Sequence, residues 1–200
     1  MTQAATLDAA AGGRKLTYEE FLALEGDPHQ EWVDGEAVPM VGVSELHNEI
    51  TAFLISLLRL VVDDAGLGRT RSDPFNVLLG NRGRAPDVIV VLKQHYERFR
   101  TNYLEGPPDI AIEVVSPGSG ATDRGAKFYE YEEAGVPEYW LIDPQREVAE
   151  FYVLDDAGHF RLSEAEPWFE SVVVEGLRVK PAWFWARPAI REALAEMAAR

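Results

Sequence analysis

The stretch Asp109-Ile-Ala-Ile-Glu-Val-Val-Ser-Pro constrains this chain most. Apolar residues stand on both faces of any strand it forms, so it reads as a strand at the centre of a sheet, covered above and below. Glu113 sits in the middle of it. Burying a carboxylate is costly unless it is paired or binds a metal. A second apolar run, Arg84-Ala-Pro-Asp-Val-Ile-Val-Val, carries Asp87 near its start. A third segment, Asp123-Arg-Gly-Ala-Lys-Phe-Tyr, opens a helix and offers Lys127. Two acids on consecutive strand patterns suggest a shared partner. A divalent cation with a nearby lysine would satisfy both, and that set of groups cleaves phosphodiester bonds.

Each residue also has a plainer reading. Asp87 follows Pro86, which suits an edge strand whose acid faces water. Glu113 could be neutralised by a buried arginine. Lys127 could be a surface lysine paired with Asp123 at i, i+4. The aromatics Tyr139, Trp140, Trp183, Phe184 and Trp185 read as core rather than as base-stacking platforms, with Trp183 and Trp185 forming a strand-like plug.

At 200 residues the chain suits one domain with a full core. It has no cysteine, which excludes disulfides, thiol catalysis and structural cysteine-zinc sites. No hydrophobic leader precedes residue 15, and the longest apolar stretch, 53–62, is broken by Ser56 and Arg59. It is too short and polar to span a bilayer, and a cytoplasmic protein is expected. The net charge of −15 argues against general nucleic-acid binding, because phosphate contacts need Lys and Arg. The segment 69–100 departs from this balance, with seven Lys and Arg against three acids, and it contains Asp87.

Residues 1–14 are Ala/Gly-rich and expected to be disordered, leaving a domain over 15–187 and a loosely held C-terminal helix over 188–200. Thr17-Tyr-Glu-Glu20 is a capping box for a short helix anchored by Phe21, Leu22 and Leu24. Asp34-Gly35 centres a hairpin. Ser44 caps the longest helix, about 45–64, with apolar positions at Leu46, Ile50, Phe53, Leu54, Leu57, Leu58 and Val61. Strands are expected at 75–79 and 86–92, joined by a turn at 80–83. A polar stretch over 93–108 is a lid or a short helix, and 117–122 is a loop. Asp123 caps a helix ending at Gly135, and strands follow at 138–143, 147–154, 159–164 and 170–174. The order implies an α/β domain with a mixed sheet, parallel pairing across the strand–helix–strand unit 109–143, and a β-meander toward the C-terminus.

The ordered run Arg84-Ala-Pro-Asp87, Pro108-Asp-Ile-Ala-Ile-Glu113-Val-Val-Ser-Pro117, Asp123-x-x-x-Lys127, Tyr131-x-x-x-Gly135-Val-Pro-Glu-Tyr-Trp140-Leu-Ile-Asp-Pro144 resembles the Uma family of restriction-endonuclease-like proteins. That family is a branch of the PD-(D/E)XK nuclease superfamily. Tyr18-x-x-Phe21, Glu31-x-x-Asp-Gly-Glu36 and His47 resemble it too, so the likeness spans roughly 16–180. It implies a restriction-endonuclease-like mixed sheet flanked by helices. It also implies a metal-dependent endonuclease that cuts DNA with catalytic Asp87, Glu113 and Lys127. Asp87, Glu113 and the Val114 carbonyl would hold Mg²⁺ or Mn²⁺. Glu36, His47 and Glu49 are further candidates, because a first-helix acid often completes such sites. The superfamily's lysine stands two residues after the second acid, where this chain has Val115, so the resemblance implies that Lys127 replaces it from the helix. A homodimer joined through the C-terminal strands and 183–185 would allow both strands to be cut. The alternative is a catalytically silent module of nuclease fold that binds proteins.

Overall fold

The computed structural model describes residues 15–24, 30–40, 42–116 and 119–199. The tail expected over 1–14, and Pro117 and Gly118 of the expected loop, lie outside the described residues. The chain builds two sheets and a small ribbon. The first sheet has the order β2-β1-β5-β4-β7. Its strands are β1 (Gln30–Val33), β2 (Glu36–Pro39), β4 (Asn76–Leu79), β5 (Arg82–Arg84) and β7 (Tyr103–Glu105). The second has the order β11-β10-β9-β8-β6-β3. It comprises β3 (Gly68–Ser72), β6 (Val88–Leu92), β8 (Ile110–Val114), β9 (Glu138–Asp143), β10 (Val148–Leu154) and β11 (Phe160–Leu162). β12 (Phe169–Glu170) and β13 (Arg178–Val179) pair separately.

Local signals build much of this. Helix α1 (Tyr18–Leu22) starts on the expected capping box, although Tyr18 and Phe21 are its buried anchors and Leu24 is exposed. Asp34 and Gly35 both take positive φ, as a two-residue hairpin turn with the strands' own twist requires. Gly83 has a different reason. A Cβ there would stand 2.5 Å from the Tyr18 ring, so only glycine lets α1 pack on β5. Helix α2 (Glu45–Leu58) is capped by Ser44 and continues as a wide π turn over Arg59–Asp63.

β8 pairs in parallel with β9 and antiparallel with β6, at the centre of its sheet as its two-sided apolar pattern requires. One face of the sheet, with Val88, Val90, Ile110, Ile112, Trp140 and Ile142, packs on α2. The other, with Ile89, Val91, Ala111, Tyr139 and Leu141, packs on Val77 and Leu104 of the first sheet and on Tyr131.

Several local expectations are corrected. β3 is a strand that the pattern Gly-Arg-Thr-Arg-Ser does not announce, because an edge strand needs no apolar alternation. The strands expected at 75–79 and 86–92 do not pair with each other across the turn at 80–83. β4 pairs with a short β5, and the chain then crosses to the second sheet before β6. Of the two readings of 93–108, the short helix is present as a 3₁₀ helix (Lys93–Arg98), and the addition is the strand β7 that follows it. The strand expected at 170–174 is limited to β12. Asp123 does not cap a helix. It lies inside a helical run made of α3 (Gly120–Thr122), a π turn (Asp123–Lys127) and α4 (Phe128–Glu133). Trp183, Phe184 and Trp185 form a turn of helix, α5 (Ala182–Ala186), rather than a strand-like plug. Trp183 and Phe184 are buried in the chain's own core, which removes them as a surface for a second copy. The terminal helix α6 (Ile190–Ala198) is tied down rather than loose. Ala193 is buried, and the Arg178 guanidinium donates to the Met197 and Glu196 carbonyls. Among the described residues no helix is long and apolar enough to cross a membrane.

Candidate active site

The crossover between the sheets sets Asp87. β5 ends at Arg84 and β6 begins at Val88, leaving Ala85-Pro86-Asp87 as the joint. In the β6–β8 ladder Val88 pairs with Ile112, so one further step puts Asp87 opposite Glu113. Residues opposite each other across antiparallel strands share a face, so the two carboxylates emerge side by side. The Val114 N–H donates to Asp87 Oδ2 at 2.7 Å and fixes that carboxylate.

Lys127 arrives from the π turn of the following helix. Wide π turns insert an extra residue and recur at functional sites. The Lys127 ammonium lies 3.0 Å from Glu113 Oε1, 3.2 Å from Glu31 Oε1 and 3.3 Å from Asp123 Oδ1. Tyr131 donates its hydroxyl to Glu113 Oε1 at 2.7 Å. Asp87, Glu113 and Lys127 are 7%, 3% and 5% exposed, so the acids do not face open water and the lysine is not a surface residue. The expected Asp123 pairing is present, but as a buried contact.

Behind these groups stands an ionic ring. Arg84 forks onto Glu130 with two donors, at 2.6 and 2.7 Å, and gives a third to Glu31 at 2.7 Å. The Ala85 N–H also donates to Glu31, at 3.3 Å. Glu31 in turn holds Lys127, and Glu130 sits three residues beyond Lys127 on the same helical run. The ring joins β1, β5 and the helix, so it fixes where the Lys127 ammonium points.

His47 closes the other side. Its Nε2 lies 3.0 Å from Asp87 Oδ1, and among the described residues its buried Nδ1 has no hydrogen-bond partner. Of the three further candidates, His47 is in the site, whereas Glu36 and Glu49 are exposed and do not line the cleft. The acid that does enter from the first hairpin is Glu31, five residues before Glu36. Sequence reasoning also passed over Arg84, Glu130 and Tyr131 as site-builders.

The cleft between these walls has a volume of about 150 Å³, with Val38, Pro39, Met40 and Val43 forming an apolar rim and Val114, Ser116 and Ser119 its opposite side. Electrostatically it is overloaded. Among the described residues Glu31, Asp87, Glu113, Asp123 and Glu130 are buried with only Arg84 and Lys127 as buried permanent cations. Burial pushes the Glu113 carboxyl well above its usual range; Lys127 pulls it back, and the charges of Asp123, Asp87 and Glu31 add to the rise. Burial likewise raises Asp123. Glu31 goes the other way: burial would raise it, but Lys127 and Arg84 together hold it low. For Lys127, burial favours the neutral amine, and the surrounding carboxylates outweigh it and keep the ammonium charged.

Residues 18–182 match the family Uma2, described as "Putative restriction endonuclease". The uncharacterized protein sll1609 of Synechocystis is 29% identical over 132 residues, covering 64% of this chain and 75% of that protein. The uncharacterized protein slr1290 of the same organism is 28% identical over 148 residues, covering 72% and 77%. A crystal structure from Anabaena variabilis, described as a putative nuclease belonging to DUF820, superposes with a TM-score of 0.73. It is 21% identical and covers 86% of this chain and 98% of that one, a likeness that concerns the fold. The fold is that of a restriction-endonuclease-like protein, and with the match spanning most of its length the chain belongs to the Uma2 family of restriction-endonuclease-like proteins.

Proposed function

We propose that the cleft hydrolyses phosphodiester bonds in DNA with a divalent cation held by Asp87, Glu113 and the Val114 carbonyl. The observation that carries this reading is the excess of buried carboxylates beside a single ammonium. Such a cluster is relieved by protons or by a cation. The donors are hard oxygens, which suits Mg²⁺ or Mn²⁺. Among the described residues no three His, Asp or Glu side chains are already gathered as a ligand cage. Mg²⁺ uses one or two carboxylates and leaves its other positions to water and substrate phosphate, so Asp87 and Glu113 would suffice as its side-chain ligands. When bound, the ion would polarise the scissile phosphate and acidify a bound water.

The chain's own groups divide the remaining work. The Val114 N–H and His47 hold Asp87 from both sides, so its carboxylate enters the reaction already oriented. Lys127, fixed by Glu31 and Glu113, carries the positive charge that offsets charge growing on the phosphoryl oxygens. Tyr131 keeps Glu113 aimed at the cleft. The apolar rim limits water around the reacting phosphate.

The test pairs metal binding with cleavage. Wild type is expected to bind Mn²⁺ by calorimetry and to nick plasmid DNA in Mg²⁺ or Mn²⁺, and Asp87→Asn to lose both while keeping its unfolding midpoint. Lys127→Ala is expected to bind Mn²⁺ and cleave slowly, since its part is played in the transition state. A wild type that binds no Mn²⁺ would leave the silent protein-binding module as the better reading. Equal nicking by wild type and Asp87→Asn would locate the chemistry elsewhere.

A further inference from the structure

A chain of net charge −15 repels a polyanion, so its substrate needs a local track of positive charge. Much of the basic segment cannot supply one. Arg84 is buried in the ionic ring, Arg82 reaches Glu130 and Asp34, Arg98 lies near Glu97 and Arg100 pairs with Glu105. Among the described residues Arg69, Arg71 and Lys93 stand in no ion pair, and Arg69 and Lys93 are exposed.

Arg69 and Arg71 lie on β3, an edge of the second sheet. They pair with Val91 and Ile89 of β6, the residues that share a face with Asp87 and Glu113. At about 3.4 Å per residue, Arg71 stands ~7 Å and Arg69 ~14 Å along the sheet from the level of Asp87. Both guanidiniums lie over aromatic rings. Arg69 is 4.5 Å from the centre of Tyr96 and 5.5 Å from Phe99, and Arg71 is 5.6 Å from Phe99. Phe75, 6.0 Å from Phe99, extends the row from the segment that follows β3. A guanidinium stacked on a ring keeps its charge and its edge donors while losing side-chain freedom, which lowers the entropy cost of a phosphate contact. Edge protection alone would account for charges on β3, but not for a cation–aromatic row on the catalytic face.

We propose that this edge, with Arg69 and Arg71 over Tyr96 and Phe99 and Lys93 beyond them, carries the DNA backbone to the cleft. The inference rests on the nuclease reading and adds where the substrate lies.

The experiment measures fluorescence anisotropy of a labelled DNA duplex with Ca²⁺ present, and cleavage separately in Mn²⁺. The double variant Arg69→Gln/Arg71→Gln is expected to bind about tenfold or more weakly at low salt, with a slope of log affinity against log salt shallower by roughly 2. Arg69→Lys/Arg71→Lys keeps the charges and is expected to recover that slope, which a purely structural defect would not allow. Arg161→Gln, at an exposed position of β11 on the opposite edge, is expected to bind like wild type. Mn²⁺ binding by the free protein is expected to be the same in all of them. Equal DNA affinity and salt slope in wild type and the Gln double variant overturn the inference and leave the nuclease reading standing. A wild type that binds no Mn²⁺ and cuts no DNA overturns the nuclease reading, and this inference with it.

Discussion

Glu113 and Glu138 are both buried glutamates, on neighbouring parallel strands of one sheet, and their surroundings are opposite. Glu138 enters at the start of β9 on the face that carries Trp140, whereas Glu113 lies near the end of β8 on the other face. Around Glu138 every partner is a neutral donor. Its Oε1 accepts from the Ser171 hydroxyl at 2.8 Å and from the Val172 and Val173 N–H groups, and its Oε2 accepts from the Trp140 indole at 3.0 Å. That carboxylate pins the 171–174 loop to the sheet. Glu113 meets one ammonium and one phenol among like charges. Burial raises both carboxyls, so the direction of the shift does not separate them. Neutral donors saturate Glu138, whereas Glu113 stands crowded by other acids, a load that a proton or a cation would relieve.

The largest effects should therefore cross over. Glu113→Gln is expected to cut DNA cleavage by about a thousandfold or more, the loss of several kcal/mol of transition-state stabilisation. Its urea midpoint should hold or rise, because one buried like charge is gone. Glu138→Leu should do the reverse. It strands the hydroxyl, the two amides and the indole without an acceptor and is expected to lose about 3–5 kcal/mol of stability. Cleavage per folded molecule should not change. A stable Glu138→Leu, or a Glu113→Gln that unfolds more easily than wild type, breaks the comparison.

Lys127→Met comes next, at about 3 kcal/mol of stability, since it leaves Glu113, Glu31 and Asp123 without their shared ammonium. A divalent cation replaces that charge. Mn²⁺ at a hundredfold its Kd returns about 2.7 kcal/mol, so the thermal midpoint of this variant should rise on adding Mn²⁺ by at least as much as wild type's. Glu138→Leu should show only the wild-type increment. Arg84→Lys is expected to cost less, about 2 kcal/mol, because it keeps a charge but gives up the fork onto Glu130. A loss confined to Lys127→Met would mean that the ring does not hold the lysine in place.

The sequence made Glu113 legible because a charged letter in a two-sided apolar run has few bland explanations. Asp87 and Lys127 were legible only in company, since a Pro-Asp pair or a helix lysine alone means little. The same logic did not single out Glu138, which opens its strand just after Pro137 and looks like a boundary residue. Its partners lie 33 to 35 residues downstream in a loop with no pattern of its own. Glu31 was hidden for a related reason. Three of four residues in β1 have intermediate burial, so nothing in Gln-Glu-Trp-Val says which acid of the hairpin turns inward. Glu36 shares a face with Glu31 but stands beside the turn, opposite Val33, so what separated the two acids was position along the hairpin. β3 was missed because edge strands need no apolar alternation. Asp123 was misassigned because an acid at the start of an apparent helix suits a cap, whereas the helical run already begins at Gly120.

The smallest expected effect is in the pH dependence, and its response to a cation separates the two glutamates. Burial raises the folded-state Glu138 carboxyl above its ordinary value of 4.5, even against its hydrogen bonds. A raised folded value means that the folded state holds the proton more tightly. The stability this group contributes is present below the ordinary range and is lost as pH rises through the folded value, by up to about 1.4 kcal/mol per unit. Stability differences between wild type and Glu138→Gln should thus narrow as pH rises from the ordinary glutamate range toward neutral. Glu113 has the same sign in the absence of metal. Glu31 has the opposite sign, because its folded value is held low, so its contribution is present above the ordinary range and lost as pH falls through the folded value. Saturating Mn²⁺ should abolish the Glu113 slope, since a carboxylate must be ionised to bind a metal, and should leave the Glu138 slope untouched. Urea unfolding of wild type, Glu113→Gln and Glu138→Gln across that pH range, with and without Mn²⁺, reads both slopes. Equal sensitivity of the two slopes to Mn²⁺ would mean that the cation does not sit at Glu113.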